Sequence, residues 1–175
     1  MTRRLGLGAT YGLIGAVFAA FLALLVAVVR MTDAVKVPPA ALIEPVLGLV
    51  ILTAVVALLM VGYRNVATFR GRASLRYFRA YNADFPDEWI ERPARAYKNL
   101  LELPILFYAL CALMLATGRF DAVQAALAWL FVAARCAHAF IYIAFNHVPM
   151  RFVAFLCGAI TLAVMWVRFA QQALG

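Results

Sequence analysis

The sequence predicts an all-α membrane protein crossing the bilayer five times. Three observations carry that reading. Hydrophobic residues make up 67% of the 175 and charged residues only 14%, with a mean hydropathy of +0.92; a water-soluble domain of this size could not hide so much apolar surface. The apolar runs are long, continuous and rich in Ala and Leu, without the alternation a membrane β-barrel requires. Charges and prolines fall between the runs and divide them into five.

The first run, Leu5 to Val29, follows Arg3-Arg4 and is 25 residues long. A signal-peptide core has about 7–15 apolar residues, and no small-residue cleavage site follows, so this is expected to be a retained helix. The segment Arg30–Pro39 is a linker closed by Pro38-Pro39. The second span runs from Ala41 to Gly62, with Glu44 at headgroup level and Pro45 expected in the first turn, and its helix is free to continue past Tyr63 into water. Arg64, Arg70, Arg72, Arg76 and Arg79 follow, then Asp84, Asp87, Glu88 and Glu91. The turn is expected at Tyr81–Pro86, with Asp87 capping the next helix. The third span extends from Arg92–Arg95 to Thr117. Pro104 should bend or loosen it by freeing the carbonyl of Leu100. The tight connector Gly118–Asp121 makes the third and fourth spans antiparallel neighbours. The fourth span is Ala122 to Phe145, Asn146–Pro149 forms a second tight turn, and the fifth span is Met150 to Gln171.

Net charge is +8 and the pI about 9.9. Eight of the 16 basic residues lie between Arg64 and Lys98, beside membrane segments, where positive charge fixes orientation rather than binding nucleic acid. With five spans, the N-terminus and the loop of residues 64–92 are expected in the cytoplasm and the C-terminus opposite, in a multi-pass protein of a bacterial inner membrane; Arg30 and Lys36 then face outward. Cys111, Cys136 and Cys157 fall in apolar segments and read as small buried hydrophobes. No group has metal-ligand spacing, so no metal is expected.

Two polar stripes interrupt the apolar spans. Arg95, Asn99 and Glu102 are spaced i, i+4, i+7, which places them on one helix face, and Lys98 lies beside them. Arg135, His138 and Tyr142 form a second stripe on the fourth span, and Arg151 opens the fifth. The topology brings all of them to the same end of their spans. Charges at membrane depth are costly unless paired or wetted. Internal pairing could join Lys98 or Arg95 to Glu102, and Arg135 to a carbonyl or lipid phosphate. It leaves cations in surplus over the one carboxylate, which suits an anionic polar ligand reaching the site from the cytoplasm.

The spacing Arg95-x3-Asn99-x2-Glu102, preceded by Glu91-Arg92, resembles the glutathione-binding motif of the membrane-associated proteins in eicosanoid and glutathione metabolism, the MAPEG superfamily. The later pattern Arg135-x2-His138-x3-Tyr142-x8-Arg151-x3-Phe155-x2-Gly158 is similar to the last two helices of its microsomal glutathione transferases and prostaglandin E synthase. The resemblance covers about Ala41 to Gln171. It implies a four-helix transmembrane bundle (residues 40–175) plus one extra N-terminal helix (residues 1–39), assembled as a homotrimer that binds glutathione between subunits.

Carried over, the resemblance implies that Arg95, Lys98, Asn99 and Glu102 grip the tripeptide, Glu102 receiving its ammonium. It places His138 and Tyr142 along the same site, makes Arg64 a looser candidate for the glycyl carboxylate, and assigns Arg151 to stabilising the thiolate. Pro104 stands two residues after Glu102, where the best-known members have a proline four residues after that Glu. Phe155 matches the transferases rather than the synthase, whose tyrosine it replaces. The implied activity is a glutathione transferase or peroxidase that turns the thiolate on a lipophilic electrophile or hydroperoxide held in the membrane. A binding or structural protein of the same fold is the alternative. A transporter is disfavoured because no inverted repeat or pair of discontinuous helices is present.

Overall fold

The computed structural model describes residues 7–31, 35–73, 77, 79 and 86–175. Every element among them is a helix: α1 (Leu7–Val29), α2 (Ala40–Phe69), α3 (Glu88–Glu102), α4 (Pro104–Thr117), α5 (Ala122–Ala144) and α6 (Val148–Leu174). Helices α3 and α4 form one span, so five are long and apolar enough to cross a membrane. In hydrocarbon every backbone N–H and C=O must be satisfied within its own segment, and these sequences meet that demand as helices. The expected charges Arg3, Arg4, Arg76 and Asp84, and most of the Tyr81–Pro86 turn, lie outside the described residues.

Several local expectations hold. Helix α2 begins directly after Pro39 and continues past Tyr63 to Phe69. The helix of the third span breaks at Leu103, between Glu102 and Pro104, where the proline has no N–H to donate to Leu100. Gly118 closes α4 with φ +65°, the left-handed geometry that glycine adopts without penalty. Three expectations need correction. Pro45 is inside α2 rather than in its first turn. Asp87 occupies the N-cap position of α3, but its side chain caps nothing; it accepts hydrogen bonds from Arg72 and the Trp89 indole instead, each at 3.2 Å. Cys136 is exposed, whereas Cys111 and Cys157 are buried.

The bundle is α2, α3–α4, α5 and α6. Leu49 and Val56 of α2, Leu100 of α3, Phe107 and Met114 of α4, Phe131 of α5 and Met165 of α6 meet in one core, with Phe107 stacked on Phe131 at 4.7 Å between ring centroids. Helix α1 lies outside, against α5 and α6. Of its described side chains only Leu25 is buried, with Phe21, Val28 and Val29 packed partly beside it. Its docking stripe is therefore the C-terminal half.

The two ends of the bundle are tied separately. At one end Arg64 of α2 pairs with Glu91 of α3 at 3.7 Å, and Arg92 reaches the Ala144 carbonyl at the end of α5 at 3.5 Å. At the other, the Ala122 amide donates to the Val35 carbonyl of the linker at 3.1 Å.

Candidate functional site

The first stripe lies on the outside of the bundle. Helix α3 buries Pro93, Ala96 and Leu100, spaced i, i+3, i+7, and that choice of core face turns Arg95, Lys98 and Glu102 outward. All three are exposed and Asn99 is half-buried. Lys98 and Glu102 approach to 3.9 Å with side chains 79% and 58% exposed. This is a weak surface pair that leaves both groups available.

The second stripe is interior. Arg135 is 1% exposed and His138 4%. The Arg135 guanidinium lies between the rings of Phe131 and Phe155, 5.6 and 5.2 Å from their centroids. Its Nη2 donates to the carbonyls of Ala154 and Phe155 at 3.2 and 3.1 Å. The carbonyl pairing foreseen for this residue is therefore present. Its Nε and Nη1 have no hydrogen-bond partner. Gly158 makes room for it: a Cβ there would come within 2.6 Å of Nη2. His138 is held edge-on to Tyr142 and Phe155, at 5.9 and 6.1 Å.

Arg151 joins the interior to the polar end. Its guanidinium lies 4.1 Å above the Tyr142 ring, a cation–π contact, and its Nη1 donates to Asn146 Oδ1 at 2.5 Å. Asn146 donates in turn to Glu88, which also accepts from Arg92 at 3.4 Å. The α5–α6 turn is thereby fastened to the start of α3. Asn146 has φ +49°, a conformation that asparagine tolerates better than most side chains. The sequence marked this residue as a turn former; its hydrogen bond to Arg151 had no sequence signal. Nor did the part Glu88 plays.

One chain does not bring the eight candidates into one pocket. None of Arg64, Arg95, Lys98, Asn99, Glu102, His138, Tyr142 and Arg151 lines either of two cavities, of about 340 and 550 Å³, on the flanks of the bundle. Tyr142 and Arg151 are in contact, whereas the α3 stripe faces away from the core of the bundle. Arg64 is engaged with Glu91. Among the described residues no group of three His, Cys, Asp or Glu could hold a metal ion.

The MAPEG family model matches residues 42–171, the bundle without α1. The chain belongs to the MAPEG family. No curated protein and no solved structure matches it significantly. The family's association is with membrane glutathione and eicosanoid chemistry, and the matched region contains every candidate residue named above.

Proposed function

We propose that this MAPEG protein is a glutathione-dependent transferase or peroxidase of the microsomal glutathione transferase type. The observation that carries the reading is the Arg151–Tyr142 pair: an always-charged guanidinium, half-buried at the polar end of the bundle, held over an aromatic ring and fixed by Asn146 rather than neutralised by a carboxylate. A free thiol has a pKa near 8.5, and a neighbouring cation in a poorly solvated site lowers it. The thiol proton passes to solvent and the thiolate remains beside Arg151. Its sulfur then forms a bond to the electrophilic carbon of a lipophilic substrate, and the leaving group departs with its electron pair. With a hydroperoxide, two glutathione molecules would yield their disulfide, an alcohol and water.

The exposed Arg95, Lys98, Asn99 and Glu102 suit the tripeptide's carboxylates, amides and ammonium. Because they face away from their own subunit, a second subunit must close over them, which favours a homotrimer with glutathione between chains. Arg64 would join only by leaving Glu91. The cationic end is the cytoplasmic one in this reading, since basic residues flanking spans are retained there, and a bacterial inner membrane is the location proposed. In the same reading residues 1–39 are an addition to the family bundle, with the described helix α1 docked on α5 and α6.

The test is calorimetric and kinetic. Purified protein should bind glutathione at millimolar concentration or below and conjugate a small model electrophile, and Arg151→Ala should remain folded and lose turnover. Absence of binding would sink the enzyme reading and favour a non-catalytic protein of the same fold.

A further inference from the structure

Helix α1 lies outside the segment matched by the family, yet it forms one wall of a cavity. Its C-terminal half docks through Phe21 and Leu25, while the N-terminal half stands off α5 and α6 and leaves a space of about 340 Å³. Ala133 and Ala137 of α5 and Leu13 and Val17 of α1 are among its lining residues, and the two alanines occupy little of it. The volume falls in the ~300–1,000 Å³ range of small-molecule sites. Its lining side chains are all apolar, and a groove of that kind on a membrane-spanning bundle suits apolar guests.

Position gives the cavity a purpose. Its lining includes Ile141 and Met150, the residues immediately before Tyr142 and Arg151. On α5 the lining positions 130, 133, 134, 137 and 141 form one stripe, and the interior His138 and Tyr142 lie one residue beyond 137 and 141, about 100° around the helix. The cavity and the Tyr142–Arg151 pair thus occupy adjoining faces of the same two helices and meet at the α5–α6 turn.

We propose that this cavity binds the alkyl tail of the lipophilic second substrate and presents its reactive head at the Ile141–Met150 end, beside Arg151. Helix α1 is then a specificity element. The tail's assignment to a substrate rests on the glutathione reading above; binding of an alkyl chain does not.

The test uses the full chain in nanodiscs and a long-chain alkyl probe carrying an aliphatic diazirine. Photolabelling mapped by mass spectrometry should saturate and concentrate on residues 13–21 and near Cys157. It should fall at least fivefold in Ala137→Trp, which fills the space from α5, and in Val17→Trp, which fills it from α1, but not in Phe140→Trp on another face of α5. Both filling variants should also lower the preference for a long-chain over a short electrophile at least tenfold, measured as the ratio of kcat/KM values. Unsaturable labelling spread over α2 as well would mean bulk lipid contact and overturn the site. Displacement by phospholipid but not by the long-chain electrophile would assign the space to a structural lipid and overturn the substrate role. If the wild type turns over no electrophile, the glutathione reading fails, and the labelling pattern alone decides whether the cavity binds an alkyl chain.

Discussion

The two ends of the bundle handle charge in opposite ways. At the Gly118 end, Asp121 caps α5 through the Gln124 amide at 2.8 Å, and its other oxygen takes Arg168 at 2.9 Å and Gln172 at 2.8 Å. Arg119 donates to the Gln172 carbonyl at 2.8 Å, and the buried Gln124 side chain donates to Met165 at 3.1 Å. One carboxylate thus gathers a helix cap, a guanidinium and an amide. At the Arg151 end ion pairs also form, Arg64–Glu91, Arg72–Asp87, Arg92–Glu88 and Lys98–Glu102. Cations still outnumber acids there: Arg135 and Arg151 meet carbonyls, an amide and aromatic rings, and among the described residues Arg95 makes no hydrogen bond or ion pair. A closed charge set locks helices together. An open one leaves free energy for an anion to supply.

Replacing residues at each end should separate the two roles. The largest effect is expected at the closed end: Asp121→Ala removes a cap and strands Arg168, destabilising the bundle by about 2–4 kcal/mol. Thermal unfolding in detergent would register this, while glutathione affinity at the distant end stays unchanged. At the open end Arg151→Ala should cut conjugation at pH 7 by ~10–100-fold, because each unit of thiol pKa regained removes a tenfold share of thiolate. The loss should shrink as pH rises and the thiol ionises unaided, so the pH–rate profile shifts upward; a uniform loss at every pH would deny Arg151 that role.

Asn146→Gly keeps the left-handed turn but releases Arg151. The side chain's bonds to both Arg151 and Glu88 are lost. Loss of the bond to Arg151, on the order of 1–2 kcal/mol, should show as turnover slowed about fivefold, and loss of the bond to Glu88 as a modest fall in melting temperature. Lys98→Ala gives the smallest change in stability, within about 0.5 kcal/mol, since its pair with Glu102 is solvent-exposed. A larger destabilisation would show that the α3 stripe is packed rather than presented.

Much of the architecture was legible because a bilayer permits few solutions: runs of this length and apolarity must be helices, and Gly118 and Pro104 mark an end and a break by backbone chemistry alone. The spacing of Arg95, Asn99 and Glu102 on one face, and of His138 and Tyr142 on another, followed from helical periodicity. Which face pointed inward did not follow. Pro93, Ala96 and Leu100 win the core side of α3, and Arg135 takes an interior position that Gly158 keeps open for it. Cys136, in an apolar run like its fellows, could not be told from them.

The sequence by itself determined the five spans, the polar stripes and the family, since all three rest on periodicity and on spacing along the chain. Only the tertiary structure decided that one stripe is presented outward and the other sealed within, that Asn146 and Glu88 anchor Arg151, and that α1 stands off far enough to leave a cavity. Those outcomes depend on which surfaces of separate helices meet, and neither periodicity nor spacing encodes that pairing.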